Sequence, residues 1–115
     1  MKRTILIVEP DLVISALLKR KSSSYEFIFA KSATNALAEV QKLEALFCLV
    51  VDFELPEENG IALAQEVRRR FPEVKVILIS EFHDLRIKEL AEKNNIHNYI
   101  TKLNFYYEWF KFLGL

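Results

Sequence analysis

The chain has little of several residue types on which common sites and folds depend. Gly60 and Gly114 are the only two glycines, so no loop can form the glycine-rich phosphate cradle that a flavodoxin-type cofactor protein needs. Cys48 is the single cysteine and lies in an apolar run, so no structural disulfide is expected, and a reducing cytoplasm fits that usage. No serine or cysteine stands with a histidine in a hydrolase motif.

Neither the net charge nor any apolar run points to a nucleic acid or a membrane. Acidic and basic residues balance at 16 each, so no overall field attracts nucleic acid or anionic lipid. The first apolar run is interrupted by Glu9, Pro10 and Asp11, too early for a secretory signal, and no stretch reaches membrane-spanning length. We therefore expect a cytoplasmic protein with residues 1–115 in one domain.

Five apolar, β-branched runs predict strands. Apolar side chains at successive positions are typical of a parallel sheet that is covered by helices on both faces. The predicted strands are Thr4–Val8, Tyr25–Ala30, Leu46–Val51, Val74–Ile79 and Ile96–Ile100.

The segments between these strands have the apolar spacing of helices. The first predicted helix carries Val13, Ala16, Leu17 and Arg20, and the last spans about Asn104 to Leu113. Three others begin after Ser32, Asn59-Gly60 and Asp84, and Pro72 ends the middle one. This order predicts an α/β fold with a doubly wound, five-stranded parallel sheet and helices on both faces.

Polar side chains stand where four of the predicted strands end. Glu9 and Asp11 follow the first strand, Asp52 the third, Ser80 the fourth and Lys102 the fifth. In such sheets the reaction site lies outside the carboxyl ends of the strands, at the switch in strand order. Asp52 could attack a phosphoryl group, while Lys102 and Ser80 bind its oxygens. The remaining acids could hold Mg²⁺.

The loop Asp52–Gly60, with its Leu55-Pro56 and Asn59-Gly60 pairs, resembles that of response-regulator receiver domains. The resemblance covers the whole chain. It implies flavodoxin-like (receiver) topology and a signalling module rather than an enzyme. Asp52 would accept a phosphoryl group from a histidine kinase or phosphotransfer protein, with Ser80 and Lys102 at the site and Tyr99 as the switch. The implied Mg²⁺ ligands are Glu9, Asp11, Asp52 and the backbone carbonyl of Glu54.

Three residues depart from the family pattern. Pro10 occupies the usual position of a metal-ligating acid and displaces Asp11, so we expect weakened Mg²⁺ binding. Glu81 replaces a small residue and would repel an incoming phosphoryl group. Leu103 replaces a proline that follows a cis bond, and because a non-proline cis bond costs roughly 3 kcal/mol, Lys102-Leu103 is predicted to be trans. Mutual repulsion among the clustered acids should raise at least one carboxyl pKa, partly offset by Lys102.

These departures leave two functions open. The first is a phosphorelay receiver in which Asp52 is phosphorylated, and the intact Asp52, Ser80 and Lys102 set favours it. The second is a pseudo-receiver that acts as a phosphorylation-independent interaction or dimerisation module, favoured by the three departures.

The last helix carries more aromatic side chains than one buried stripe requires. They either fill extra core space or form a face for a downstream protein or self-association, together with strand five and the neighbouring helix. Replacing Trp109 is expected to separate these alternatives. The aromatic and aliphatic residues are Phe105, Tyr106, Trp109, Phe110, Phe112 and Leu113.

Other charged groups are interpreted as surface features. His83 and His97 lack metal-binding partners in the sequence and should occupy surface or loop positions. Arg68–Arg70 should form a solvated helix face, and Glu57-Glu58 an exposed loop.

Overall fold

The protein is described by a computed structural model that covers residues 2–11 and 25–112. Its strands agree with the predicted ones to within two residues at every end. They are β1 (Arg3–Val8), β2 (Tyr25–Ala30), β3 (Cys48–Asp52), β4 (Lys75–Ser80) and β5 (Asn98–Thr101).

Four helices lie in the described part of the chain: α1 (Ala33–Lys42), α2 (Gly60–Arg70), α3 (Leu85–Lys93) and α4 (Lys102–Phe112). The predicted caps are confirmed, because Ser32, Asn59 and Asp84 each accept a backbone N–H from the first turn of α1, α2 and α3. The predicted helix through Val13 and Arg20 lies outside the described residues. Among the described residues, no helix has the length and apolar composition needed to cross a membrane.

The five strands form one parallel sheet in the order β2-β1-β3-β4-β5. This is the predicted doubly wound α/β fold with flavodoxin-like topology. The direction of the strand order reverses between β1 and β3, which is where such sheets place their ligand or reaction site. The site is therefore expected around the ends of these two strands.

Alternate side chains of the strands supply two cores, one on each face of the sheet. Leu6 and Val8 of β1 face a core that is covered by α1, α2 and α3. Ile5 and Ile7 face a second core, in which Phe105 and Trp109 of α4 are buried. Helices therefore cover both faces, and β1 and β3 are buried up to their last residues.

Candidate functional site

Asp52 is the last residue of β3 and is held in a defined orientation. Its side chain is 4% exposed, and all five residues of β3 are buried. The Oδ1 atom accepts the backbone N–H of Glu54 at 3.0 Å, and Oδ2 lies 2.7 Å from Lys102 Nζ. Asp52 and Lys102 therefore lie close together, as predicted. Each of the two carboxylate oxygens of Asp52 is held by a contact of its own.

Lys102 joins the ends of β1 and β3 through a second acid, Glu9. Its Nζ atom donates a hydrogen bond to Glu9 Oε1 at 3.0 Å, and the same oxygen accepts the Asp11 backbone N–H at 2.9 Å. The buried Glu9 Oε2 receives no hydrogen bond from the described residues. One ammonium therefore bridges two buried carboxylates, and one carboxylate oxygen remains available to a ligand.

Burial and charge shift the pKa values of this cluster. Burial raises the pKa of Glu9, the negative charge of Asp52 adds to the effect, and the bonds from Asp11 and Lys102 oppose it. For Lys102, burial favours a lower pKa, but the bonds to Asp52 and Glu9 outweigh it and raise the pKa. The predicted rise of one carboxyl pKa is confirmed, although burial rather than repulsion is the leading cause.

Glu81 and Leu103, two of the residues that depart from the family pattern, lie at the solvent side of the cluster. The Glu81 carboxylate is 71% exposed and its Oε2 lies 3.9 Å from Lys102 Nζ. No peptide bond among the described residues is cis, so the predicted trans bond between Lys102 and Leu103 is confirmed. Leu103 is 64% exposed, and the changed loop still directs Lys102 toward Asp52.

Ser80 is buried at the end of β4 but bonds away from Lys102 and Asp52 in this conformation. Its hydroxyl donates to the Phe82 carbonyl at 2.6 Å and lies 2.8 Å from the Tyr99 hydroxyl. The Tyr99 hydroxyl also accepts the backbone N–H of Asp84 at 3.0 Å. Because Asp84 caps α3, the Ser80 and Tyr99 pair connects the site edge to the start of that helix.

The loop that follows Asp52 depends on Gly60. A Cβ atom on Gly60 would lie 2.3 Å from the Asp52 carbonyl oxygen and 2.9 Å from its carbon. The Gly60 N–H donates to the Phe53 carbonyl at 2.8 Å. Only a residue without a side chain fits this approach, so Gly60 sets where the loop returns after Asp52.

The predicted metal ligands differ in how they are placed. Glu9 and Asp52 meet at Lys102, whereas the Asp11 side chain is exposed. Among the described residues, no three His, Cys, Asp or Glu side chains form a metal-holding group. Two buried carboxylates, one with a free oxygen, suit a Mg²⁺ ion that keeps several water ligands.

Two contacts at the periphery were not predicted. The Glu57 carboxylate bonds the hydroxyl and the N–H of Thr34, the latter at 3.3 Å, which connects the Asp52 loop to the start of α1. Arg68 donates to the Asn94 and Asn95 carbonyls at 2.7 and 2.6 Å, so the interpretation of it as a solvated residue was wrong. No feature of the sequence around Glu57 indicates a partner as distant along the chain as Thr34.

The aromatic residues of α4 divide between the two proposed roles. Phe105 and Trp109 are buried, at 1% and 6% exposed, and Trp109 packs edge-on against Phe27 at 5.9 Å. Tyr107 is 67% exposed. Trp109 is therefore a core residue, and replacing it cannot test for a partner face.

The surface positions predicted for the histidines are confirmed. His83 is exposed, with its ring 5.2 Å from that of Tyr99. His97 is also exposed and lies 2.7 Å from a Glu92 carboxylate oxygen.

Comparison with known proteins gives one consistent match. The family model described as "Response regulator receiver domain" matches residues 5–105. That range contains every residue of the cluster around Lys102.

Curated relatives and solved structures agree with this match. The transcriptional regulatory protein CitT of Bacillus subtilis is 30% identical over 104 residues, covering 85% of this chain and 45% of the relative. Chemotaxis protein CheY1 of Helicobacter pylori is 27% identical over 103 residues, covering 85% of this chain and 83% of the relative. The signal receiver domain of an HD domain-containing protein from Pseudomonas fluorescens superposes with a TM-score of 0.83 at 25% identity, covering 98% of this chain and 92% of that one. The chain thus spans less than half of CitT but most of CheY1.

Proposed function

Because the chain belongs to the response regulator receiver domain family, we propose that Asp52 accepts a phosphoryl group from a histidine kinase or phosphotransfer protein. The contact of 2.7 Å between Asp52 Oδ2 and Lys102 Nζ carries this proposal. It places an ammonium where the charge of a phosphorylated aspartate would develop. Receiver domains are signalling modules, so Asp52 would serve as an acceptor in a relay and not as a turnover catalyst.

The transfer forms one bond and breaks one. A carboxylate oxygen of Asp52 bonds to phosphorus, and the bond from phosphorus to the donor breaks with its electron pair going to the donor atom. The Glu54 N–H holds Asp52 Oδ1, so the carboxylate keeps its orientation. Lys102 offsets the negative charge that is brought to the site.

Mg²⁺ is the metal that receiver domains typically bind at this place. Glu9, Asp52 and the backbone carbonyl of Glu54 would hold it, with Asp11 as the further predicted ligand. When bound, the ion would neutralise phosphoryl oxygens beside the carboxylates. Pro10 and the exposed Asp11 side chain support the prediction that binding is weaker than in an ordinary receiver.

Ser80 and Tyr99 would report the modification. A phosphoryl group on Asp52 competes with the Phe82 carbonyl for the Ser80 hydroxyl, which now bonds that carbonyl at 2.6 Å. The Tyr99 hydroxyl would lose or exchange a partner when Ser80 turns. Since Tyr99 also bonds the N–H of Asp84, the change would reach the start of α3.

Exposed apolar side chains on the helices that precede and follow β5 support a surface for a downstream protein or a second copy of this chain. Leu85 and Leu90 of α3 and Leu103 and Tyr107 of α4 are 67%, 41%, 64% and 67% exposed. Exposed apolar groups of this size are typical of contact surfaces. A cytoplasmic location is part of the proposal, supported by the single, buried thiol of Cys48, which needs no oxidising compartment.

A pseudo-receiver is the alternative, and the cluster itself favours it in one respect. Lys102 already neutralises Asp52 and contacts Glu9, and Glu81 adds a third carboxylate near the same ammonium. The Lys102 ammonium therefore has anionic partners without phosphate. The same fold would then serve as a phosphorylation-independent interaction or dimerisation module.

Intact-mass measurement after incubation with phosphoramidate and Mg²⁺ separates these two functions. We expect the wild-type chain to gain one phosphoryl group and Asp52→Asn to gain none. Glu73→Gln, which changes an exposed carboxylate at the opposite ends of the strands, should still be labelled. A wild-type chain that gains no mass at any donor concentration would support the pseudo-receiver.

A further inference from the structure

A groove lies between α1 and α2, on the face of the sheet opposite to α4. Its volume is about 510 Å³. Apolar side chains of α1 form one part of its wall, and charged side chains of α2 form another. The lining residues are Leu37, Val40, Gln41, Glu66, Arg69 and Arg70. All six belong to α1 and α2, so the groove is separate from the exposed apolar side chains of α3 and α4.

The α2 side of the groove carries a negative charge with an unfavourable neighbour. Glu66 is partly buried and interacts with the carboxyl group of Glu58, two residues before the helix begins. Burial raises the pKa of Glu58, and the charge of Glu66 adds to the effect. A cation brought to the groove from outside the chain would offset this repulsion.

Arg69 supplies a positive charge nearly one turn further along α2. Its two neighbours are engaged within the chain, because Arg68 donates to the Asn94 carbonyl and Arg70 to the Leu43 carbonyl, each at 2.7 Å. Arg69 is exposed and lines the groove. It is therefore the guanidinium of this turn that can best meet an acid from outside the chain.

Glu66 and Arg69 make the groove complementary to a second copy of itself. They lie three residues apart on α2, about 4.5 Å along the helix axis. In a two-fold dimer the same surface of each copy meets the other, so the contact between two residues occurs twice. When two α2 helices lie antiparallel across such an axis, Glu66 of each copy faces Arg69 of the other. Leu37 and Val40 of α1 then face the same apolar residues of the second copy.

We propose that the groove between α1 and α2 is an interface between two copies of this chain, held by two reciprocal ion pairs between Glu66 and Arg69. An acid and a base in one groove favour an identical copy over a partner of a single charge sign. The groove is small and its charges are near the surface, so the dimer is weak. The charge pairs fix the antiparallel orientation of the two copies.

Charge reversal followed by mixing tests this interface. Glu66→Lys and Arg69→Glu each bring like charges together at both contacts of a dimer. In an equal mixture the introduced lysine meets the introduced glutamate, and the native arginine meets the native glutamate, so both contacts become favourable again. Sedimentation equilibrium at low salt should show the dissociation constant of each variant raised roughly tenfold, because two exposed charge pairs are reversed. The mixture should return to the wild-type value.

Glu89→Lys and Lys93→Glu are the matched controls. Both residues are exposed on α3, outside the groove, and Lys93 lies in the last turn of its helix as Arg69 does. These variants should associate like the wild-type chain, alone and mixed. Urea midpoints check the fold, and Glu66→Lys should not lower the midpoint, because it removes the repulsion from Glu58.

Recovery on mixing separates this interface from association through any other surface. Added salt should weaken the wild-type dimer, since screening weakens exposed charge pairs. Wild-type association of either variant alone, or a mixture no tighter than its components, would overturn the inference. A wild-type chain that stays monomeric at all concentrations would also overturn it and leave the groove to a different protein. No phosphodonor is used, so the proposed acceptor role of Asp52 is tested separately.

Discussion

The position of Asp52 depends on Gly60, a residue that has no side chain and no reactive group. Gly60 begins α2, and its Cα atom approaches the backbone of Asp52 so closely that an added methyl group would lie 2.3 Å from the carbonyl oxygen. Backbone atoms at the end of a buried strand cannot move aside as a flexible side chain can. The Asp52 carboxylate and the start of α2 are therefore positioned together.

Gly60→Ala is expected to destabilise the fold and displace Asp52 at the same time. Overpacking of this kind costs about 1–3 kcal/mol, measurable as a lower free energy of unfolding in urea. Labelling of Asp52 by phosphoramidate should slow as well, because the contact with Lys102 is disturbed. Ala62→Gly, in the same turn of α2, should lower stability by about 1 kcal/mol without slowing labelling. Wild-type stability and labelling in Gly60→Ala would contradict the close contact.

The position of a site residue could be predicted from sequence where the order of the strands along the chain determines it. Asp52 ends β3 and Lys102 directly follows β5, and parallel strands bring their carboxyl ends to one edge. The hydrogen bonds of Ser80 could not be predicted from sequence, because a hydroxyl can bond several different acceptors. The conformation of the loop through Phe82 determines which acceptor is within reach. Arg68 was misjudged for a similar reason, since its acceptors are carbonyls at the end of α3.

At the scale of elements, Glu57 joins α1 to the loop that follows β3, and the adjacent Glu58 has the opposite environment. The Thr34 hydroxyl and N–H donate to Glu57 and lower its pKa. Burial and the nearby charge of Glu66 raise the pKa of Glu58. The anion at residue 57 also interacts favourably with the positive end of the α1 dipole.

The two isosteric variants should therefore differ in their effect on stability at neutral pH. Glu57→Gln should lower the urea midpoint slightly, because it weakens the bonds to Thr34. Glu58→Gln should leave the midpoint unchanged or raise it slightly, because it removes repulsion from Glu66. Midpoints from urea titrations at pH 7 give the comparison.

The pH dependence follows from the sign of each shift. A lowered pKa in the folded state means that the Glu57 contribution is present above the ordinary pKa of 4.5 and is lost as pH falls through the folded value. The difference between the wild-type chain and Glu57→Gln should thus vanish in acid. A difference that persists below that pH would show that packing, and not charge, is responsible.

Element boundaries were predictable to the extent that local residues set them. Ser32, Asn59 and Asp84 are cap residues whose side chains bond the first turn of the helix that follows, and each was placed from sequence. The start of α4 was predicted at Asn104, whereas the helix begins at Lys102. The strand Asn98–Thr101 passes directly into the helix, and the Thr101 hydroxyl accepts the Asn104 N–H at 3.2 Å, so the residue that caps the helix is also the last residue of the strand.

At the scale of the whole molecule, a group of aromatic residues packs together near β2, one edge strand of the sheet. Tyr25, Phe27 and Phe47 lie near β2, and Trp109 of α4 packs on this side. This explains part of the aromatic excess as core packing. The remaining exposed side chains belong to α3 and α4, the helices that precede and follow the edge strand β5 in the chain.

Self-association through the β5 side should therefore depend on Tyr107 and not on Trp109. If two copies of the chain meet there, replacing an aromatic contact residue weakens association by ~2 kcal/mol. Tyr107→Ser should lower the weight-average mass in concentration-dependent sedimentation, with an unchanged free energy of unfolding for the monomer. Trp109→Phe is the matched control, because it should lower stability through the core while leaving association intact.

The sedimentation result also decides between the two uses of this surface. A wild-type chain that stays monomeric before and after labelling with phosphoramidate would exclude self-association, and the exposed residues beside β5 would then serve a different protein. Association that appears only after labelling would connect the surface to Asp52 through Ser80 and Tyr99, because Tyr99 bonds the N–H that begins α3. Tyr99→Phe should then reduce that response, since phenylalanine fills the same space without the hydroxyl.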